Sequence, residues 1–251
     1  MEDTKDKETA EASDVQTVAG HLEALRSTLL RILTALALAY IPCYVASEMA
    51  IDWLIRWSLP ESLGGMHFFS PMEVFLVRLK MAFVLALAVT YPWNLLQFWS
   101  FCRPAMYEHE RRALRWWILF ASALFFGGVL FCAVGILPLV MRFAASFATE
   151  QMRPLLGVAG YVELVGWLSL AFGLMFQAPI LVVLAVRLDF LSCDRLRALR
   201  PYIVVAIFIL SALLTPPDIV SQIVLGVPTW LLFELGLWLA ERTTHEKEIE
   251  K

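Results

Sequence analysis

Residues 98–112 read Phe98-Trp-Ser-Phe101-Cys-Arg-Pro104-Ala-Met-Tyr107-Glu108-His109-Glu110-Arg111-Arg112, and they lie between two long apolar segments. Aromatic side chains come first, a proline interrupts the chain, and a charged run follows. Because the stretch is short, the two membrane spans that it joins hold it close to the bilayer surface. A carboxylate at that depth is partly desolvated, and the planar fork of an arginine binds it bidentately. The stretch therefore predicts recognition of a basic partner, unless Glu108 and Glu110 are solvated charges that pair with Arg111 and Arg112.

The composition is that of an integral membrane protein. Of the 251 residues, 60% are hydrophobic and 17% are charged, and the mean hydropathy is +0.70. Soluble domains are nearer half apolar and a quarter charged. The four cysteines show no CxxC or metal-ligand spacing, which predicts neither a disulfide framework nor a metal site. We expect membrane lipid around the chain, no cofactor and no nucleic-acid partner.

Apolar runs predict an all-α protein with six transmembrane helices. The spans cover about residues 29–49, 81–101, 116–140, 163–186, 203–214 and 219–240. The last two spans are short, and the fifth, with about a dozen residues, is well below the roughly 20 needed to cross a bilayer. Outside the membrane domain at 21–240, an acidic tail at 1–20 is predicted to be disordered and a charged tail occupies 241–251.

Basic residues determine the predicted orientation. Of the 20 lysines and arginines, 14 lie in segments that six spans place on one side, namely 1–28, 102–115, 187–201 and 241–251. Lysine and arginine gather on the cytoplasmic side of membrane proteins. Both termini are therefore predicted to be cytoplasmic, together with the 98–112 stretch and a basic loop at 187–201. The expected location is a bacterial inner membrane.

Two short motifs predict local structure. Ser70-Pro71-Met72-Glu73 reads as a capping box, with Ser70 at the N-cap, proline at N1 and Glu73 at N3 of the helix that becomes the second span. Gly127-Gly128 permits a close helix contact in the third span.

The sequence contains no catalytic constellation. GxSxG, HExxH and P-loop motifs are absent, and the four histidines are scattered over both sides of the membrane. We therefore predict that the chain is not an enzyme.

Polar residues inside the spans each have two open interpretations. Gln177 is either an interhelical hydrogen-bonding residue or an exposed anchor for a partner helix. Thr215, Asp218 and Gln222 form a polar patch on the hairpin between the fifth and sixth spans, although Thr215 and Asp218 also fit N-cap and N3 positions. Glu234, deep in the sixth span, has either a functional or a structural role.

Together these residues resemble the TatC family, the polytopic subunit of the twin-arginine protein translocase. The resemblance covers nearly everything from His21 to Leu239. Its motifs are His21-Leu-Glu-Ala-Leu-Arg26, Ser70-Pro71-Met-Glu73-Val-Phe75 with Lys80, Gln97-Phe-Trp99-Ser-Phe101 through Pro104 to His109-Glu110-Arg111-Arg112, Phe172-Gly173 through Pro179, Arg200-Pro201-Tyr202, and Leu214-Thr-Pro-Pro-Asp218 with Ser221-Gln222 and Pro228. The Thr-Pro-Pro-Asp turn before Ser-Gln is a highly specific feature.

The resemblance implies a cup-shaped bundle of six helices that serves as a receptor and scaffold in protein export. Proteins of this family bind the twin-arginine signal peptides of folded cargo at their cytoplasmic face. They recruit single-span TatA-like and TatB-like subunits and use the proton-motive force. We expect the chain to form homo- or hetero-oligomers.

The resemblance also assigns site residues by position. The signal-peptide-binding residues are Phe101 and Glu110, with Glu108, Glu23 and Arg26 beside them. The partner-helix-binding residues are Gln177, Thr215 and Gln222. The structural turns contain Pro104, Pro216, Pro217 and Asp218.

Two positions depart from the family pattern. The amino-terminal motif is usually His-Leu-x-Glu-Leu-Arg, whereas here Glu23 precedes Ala24, and one residue turns about 100° around a helix. The second carboxylate that meets the arginine pair is thus weakened, moved to Glu23 or replaced by Glu108. Position 177 is often glutamate in the family and is glutamine here, so it carries no charge.

A second hypothesis is a proton- or ion-coupled small-solute transporter, motivated by the interrupted hairpin and the polar span residues. Such carriers show internal repeats with broken helices in corresponding positions. The first half of the sequence has no break that matches the 215–218 turn, which favours the receptor. A purely structural membrane scaffold is the third possibility, and tolerance of replacement at Glu110 would distinguish it.

Overall fold

A computed structural model describes the backbone of residues 2–60, 65–102, 110–146, 155–187, 190–214 and 219–249, and the side chains of 22–60, 65–100, 116–146, 155–186, 190–213, 219 and 222–242. The α-helices are α1 (Glu2–Ser58), α2 (Pro71–Cys102), α3 (Glu110–Phe131), α4 (Leu137–Ser146), α5 (Val158–Met175), α6 (Ala178–Arg187), α7 (Cys193–Leu214) and α8 (Ile219–Ile249). A π-helical turn, Cys132–Ile136, joins α3 to α4. The fold is all-helical, as predicted.

Within the described residues, five helical segments are long and apolar enough to cross a membrane. They are Leu22–Ser58, Trp116–Ser146, Val158–Val186, Cys193–Leu213 and Gln222–Arg242, and they correspond to predicted spans one, three, four, five and six. The last two, at 21 residues each, are the shortest of the five. α2, the predicted second span, is a helix of 32 residues but is not among them. A multi-span helical protein is thus confirmed, and the sixth crossing stays a prediction.

Residues 193–201, which we predicted as part of a basic loop, are helical. α7 begins at Cys193 and has 22 residues, so the predicted basic loop is wrong from residue 193 onward, and the helix is longer than the dozen-residue span that we predicted at 203–214. The Ser192 hydroxyl accepts a hydrogen bond from the Arg195 N–H at 3.3 Å, which caps the first turn. Leucine, alanine and arginine in this stretch are good helix formers. The helix therefore starts about two turns before the apolar run.

Most of both predicted tails lies on helices. Residues 2–20, predicted to be disordered, form helical backbone at the start of α1, and residues 241–249 continue α8. Extending an existing helix costs far less than nucleating one, and alanine, glutamate and lysine recur in 2–20. The membrane spans supply the nuclei from which both tails extend.

The end of α1 and the starts of α2 and α5 meet at one end of the bundle. The Ser58 hydroxyl and the Tyr161 hydroxyl are hydrogen-bonded at 2.7 Å. The Glu73 carboxylate, three residues into α2, accepts the Ala159 N–H of α5 at 3.2 Å. α2 and α5 therefore run parallel to each other and antiparallel to α1.

Two apolar cores hold the helices together. The larger core joins α1 to α5 and includes Met81, Leu137 and Phe172, all nearly inaccessible. The smaller core joins α6, α7 and α8 around Val183 and Leu237. Large apolar side chains elsewhere on the helices are exposed, as expected for surfaces that face lipid.

Two glycines bring α3 and α5 into close contact. A Cβ on Gly128 would lie 2.5 Å from the Phe172 carbonyl oxygen, and a Cβ on Gly173 would lie 2.5 Å from the Phe125 ring. Each helix thus supplies a glycine against the other helix's phenylalanine. The predicted close contact is confirmed for Gly128, whereas Gly127 has nothing within 4 Å.

Ion pairs join α7 to α8. Arg200 Nη2 lies 2.7 Å from Glu234 Oε2, and Arg197 Nη2 lies 2.7 Å from Glu241 Oε1. Both pairs run between antiparallel neighbours, so they fix the two helices in one register. Glu234, for which we left two roles open, therefore has a structural partner.

Gly128→Ala is expected to destabilise the protein, whereas Gly127→Ala is not. The first change forces a methyl group into the Phe172 carbonyl, and overpacking of this kind costs about 1–3 kcal/mol. The second adds a methyl group in open space and gains about 0.8–1 kcal/mol of helix propensity. Thermal unfolding in detergent compares the two, and equal melting temperatures would contradict the close-contact interpretation.

Reversing one charge of the Arg200–Glu234 pair is expected to loosen the α7–α8 hairpin, and reversing both is expected to restore it. Arg200→Glu places two carboxylates together, whereas Arg200→Glu with Glu234→Arg re-forms the pair. Both side chains are partly exposed, so we expect a coupling of about 0.5–1 kcal/mol in a double-mutant cycle of thermal stability. Arg195→Glu, an exposed neighbour on α7, is the control; no coupling between 200 and 234 would show that the contact contributes nothing.

Candidate functional site

Phe101 and Glu110 lie where two packed helices meet the segment between them. Phe101 is the penultimate residue of α2, and Glu110 is the first residue of α3. The Tyr91 ring of α2 stacks on the Phe125 ring of α3 with centroids 3.8 Å apart. The helix ends that carry the two predicted residues are therefore held on neighbouring, packed helices.

α1 brings Glu23 and Arg26 to the same level of the bundle. α1 is antiparallel to α2, and Glu48 pairs with Arg78. Arg26 precedes Glu48 on α1 by as many residues as Ser100 follows Arg78 on α2. Because the two helices are antiparallel, Arg26 and Ser100 lie at the same height along the bundle. Glu23 lies one turn further out, and both side chains are exposed.

Acidic and aromatic residues from three helices thus share one end of the molecule. An exposed carboxylate accepts hydrogen bonds from arginine or lysine, and a phenylalanine ring offers its face to a cation. These groups suit recognition of a cationic segment rather than bond chemistry. Glu108 and Pro104 belong to residues 103–109, outside the described part, and so do the side chains of Phe101 and Glu110.

The predicted fourth span is broken at Gln177. α5 ends at Met175 and α6 begins at Ala178. Pro179 has no N–H to give to the Met175 carbonyl, and its ring clashes with that carbonyl in a continuous helix. The Gln177 N–H turns to the Leu174 carbonyl at 2.9 Å, and the Gln177 carbonyl accepts the N–H groups of Ile180 and Leu181 at 3.0 Å each. The proline was the sequence signal for this break, and we predicted a continuous span.

The Gln177 side chain forms hydrogen bonds at the break, and it lies inside the bundle. Its Nε2 donates to the Ala121 carbonyl of α3 at 3.1 Å and to the Gly173 carbonyl at 3.4 Å. The residue is only 8% exposed. Of its two open interpretations, the geometry favours the interhelical hydrogen bond over an exposed anchor.

Gln222 lies on the first turns of α8 and is bonded to α7. Its Nε2 donates to the Phe208 carbonyl at 2.9 Å. Thr215, Pro216, Pro217 and Asp218 lie outside the described residues.

The three predicted partner-helix residues do not form one cluster. α6 and α8 run side by side, with Pro179 Cα 2.6 Å from the Cβ position of Gly236. Gln177, two residues before Pro179, is therefore level with the part of α8 near Gly236. Measured along α8 at about 1.5 Å per residue, that part lies roughly 15–20 Å from Gln222. The structure therefore separates Gln177 from Gln222.

Several hydroxyl groups in the described spans donate hydrogen bonds to the backbone carbonyls four residues earlier in the same helix. The residues are Thr34, Thr90, Ser122, Ser211 and Thr229. The part of the chain that the structure describes contains no group of three or more histidine, cysteine, aspartate or glutamate side chains that could hold a metal ion.

Comparison with known proteins identifies the family. The family model "Sec-independent protein translocase protein (TatC)" matches residues 20–228. The chain is 33% identical over 231 residues to Sec-independent protein translocase protein TatC of Azotobacter chroococcum mcd 1, covering 91% of this chain and 90% of the relative. It is also 33% identical over 230 residues to the protein of that name from Escherichia coli strain K12, covering 90% and 89%.

Solved structures agree with the sequence matches. A crystal structure of the twin arginine translocase receptor TatC superposes with a TM-score of 0.76 at 28% identity, covering 89% of this chain and 99% of that one. A second, in DDM, gives a TM-score of 0.78 at 28% identity and covers 88% and 99%.

These matches confirm the resemblance and the prediction that the chain is not an enzyme. The protein is a multi-pass membrane protein of the Tat protein-transport system, and it belongs to the TatC family of Sec-independent protein translocase proteins.

Proposed function

We propose that this chain is the receptor subunit of a twin-arginine translocase in a bacterial inner membrane. Its six spans include α2, and both termini are cytoplasmic. Two observations support this topology: the distribution of lysine and arginine, and the absence of any charged residue between Met81 and Ser100 of α2. A cup-shaped bundle follows from the family.

The signal-peptide site is proposed at the end of the molecule shared by α1, α2 and α3. The single observation that carries it is that Phe101 is next to last in α2, Glu110 begins α3, and Glu23 and Arg26 are level with them on α1. At this end, a peptide with two arginines can contact aromatic and acidic side chains at the same time. Glu23 and Glu108 are the candidates for the second carboxylate that Ala24 does not provide.

A single-span TatA-like or TatB-like helix is proposed to dock on α7 and α8. Exposed apolar side chains on α7 include Leu213 at 80% and Ile209 at 63%, and Ile219 of α8 is 76% exposed. Thr215 and Gln222 belong to the hairpin that joins these helices. Docking of this kind gives hetero-oligomers, with cargo movement driven by the proton-motive force. Gln177 contributes indirectly, since it holds α3 against the α5–α6 break.

The transporter alternative has less support. It requires ionisable groups along an inward path, and Glu234, the one we singled out, is paired with Arg200 at 2.7 Å. Family membership favours the receptor as well.

Glu110→Ala is expected to reduce export of cargo that carries an arginine pair by about ten- to a hundredfold. Hydrogen bonds to a charged group contribute about 1.5–3 kcal/mol, and 1.4 kcal/mol is a factor of ten. Export is measured in cells lacking the native subunit, with membrane levels of each variant measured in parallel.

Asp52→Ala is the matched control, because Asp52 is an exposed acid at the opposite end of α1. Export at the unsubstituted level by a stably inserted Glu110→Ala protein would reject the proposed site. A lysine pair in the cargo should give weaker export than an arginine pair, since lysine lacks the bidentate fork.

A further inference from the structure

One carboxylate accepts hydrogen bonds at the starts of two different helices. Glu73 Oε2 accepts the Phe69 N–H at 2.7 Å, just before α2, and its Oε1 accepts the Ala159 N–H of α5 at 3.2 Å. The predicted capping box is therefore modified. The Ser70 hydroxyl accepts the Met72 N–H at 3.3 Å as expected, but Glu73 reaches past Ser70 to Phe69.

α5 lacks a side-chain cap of its own. Its N-cap residue is Gly157, and the Ala159 N–H belongs to the first turn, whose donors have no partner within the helix. Glu73 supplies that partner from another helix. The negative charge also lies near two helix N-termini, where each helix dipole favours it.

Backbone contacts bring the same two segments together. The His67 N–H donates to the Leu156 carbonyl at 2.9 Å, and the Val158 N–H donates to the His67 carbonyl at 3.0 Å. A Cβ on Gly157 would lie 3.0 Å from the Phe69 ring. The segment before α2 is thus fixed to the start of α5, and Glu73 extends this connection into α2 itself.

Beyond this connection, α2 and α5 meet in the larger apolar core, through Val77 and Met81 of α2 and Val162 and Val165 of α5. Their remaining polar contact is exposed. Lys80 Nζ lies 3.1 Å from Glu163 Oε2, but the two side chains are 53% and 56% exposed, and pairs of this kind contribute little. A Cβ on Gly166 would lie 3.0 Å from Val84 Cγ2, which is an apolar contact without directional preference.

We propose that Glu73 is a positioning residue that sets the axial register of α2 against α5. Phe101 lies at the far end of α2, and Gln177 follows the far end of α5. A slip of one residue between these helices moves their far ends by about 1.5 Å relative to each other. Glu73 thereby determines the position of Phe101 along the bundle axis relative to the α5–α6 break. Only this functional consequence rests on the proposed function; the register itself does not.

The chemistry requires both carboxylate oxygens. Glutamine has one acceptor oxygen, and its NH₂ group would face a backbone N–H at the second position. Aspartate is one methylene shorter and reaches only one of the two donors. Neither conservative replacement is therefore expected to rescue the register.

The first test measures register directly through a disulfide. Val84→Cys with Gly166→Cys, in a background with the four native cysteines replaced, places the two Cβ atoms within disulfide range. We expect nearly complete oxidation with Glu73 present and at least about tenfold slower oxidation with Glu73→Gln, since loss of one hydrogen bond to a charged group corresponds to a factor of ten or more. Asp52→Asn, which removes an exposed acid at the same end of the bundle, is the control. Equal oxidation rates in all three proteins would overturn the proposal.

The second test separates positioning from simple helix capping. In a Glu73→Ala background, Gly157→Ser gives α5 its own N-cap, because serine oxygen accepts N–H groups of the first turn. The backbone at Gly157 has φ −81° and ψ 133°, which suits an N-cap serine, and the nearby Phe69 ring is 70% exposed and free to shift. This added cap also supports folding if Glu73→Ala alone accumulates poorly.

The double variant is expected to regain thermal stability while oxidation at 84 and 166 and export of arginine-pair cargo stay reduced. Recovery of oxidation and export together with stability would overturn the proposal, because Glu73 would then be only a cap. Failure of the unsubstituted protein to export such cargo would reject the proposed function, while the disulfide measurement would still decide the register.

Discussion

A backbone carbonyl that loses its helical partner inside a bilayer has no water to replace it, and this constraint determines the centre of the molecule. The chain breaks between Met175 and Ala178, where Pro179 cannot donate. The Gln177 N–H turns to the Leu174 carbonyl, and the side-chain amide of Gln177 donates to the Gly173 carbonyl, which that N–H would bond in a continuous helix. The same amide donates to the Ala121 carbonyl of α3, so a polar residue inside a span stabilises the break and joins it to a neighbouring helix.

The proposed recognition residues lie away from this break, at one end of the bundle. The two ends differ in kind. At one end, the segment before α2 and the starts of α2 and α5 are joined by backbone hydrogen bonds and by Glu73. At the other, Phe101 lies near the end of α2, Glu110 begins α3, and Glu23 and Arg26 lie within α1. In the proposed account, the helices that connect these two ends let contacts at the Glu73 end determine the position of the proposed recognition residues.

Sequence periodicity and hydropathy were sufficient for the all-helical class, for most of the spans and for the Gly128 contact. They failed at one helix start, where the local cap at Ser192 went unrecognised, and at sites where tertiary contacts decide the outcome. Residues 193–201 look like a charged loop in a hydropathy profile, yet Ser192 caps them as helix. The capping motif at Ser70 was recognisable, but the second acceptor role of Glu73 depends on α5, some 86 residues away in sequence. Whether Gln177 faces a partner helix or the bundle depends equally on packing that no local pattern encodes.

The most direct test of the receptor assignment is site-specific photo-crosslinking from position 109, next to Glu110. A photoreactive amino acid replaces His109, which leaves the Glu110 carboxylate in place, and a signal peptide with either an arginine pair or a lysine pair is added. We expect a cross-link to the arginine peptide, weaker cross-linking to the lysine peptide, and none from the same probe at Asp52. Equal cross-linking to both peptides, or cross-linking from position 52 alone, would contradict recognition of the arginine pair at the end of the molecule where α2 ends and α3 begins.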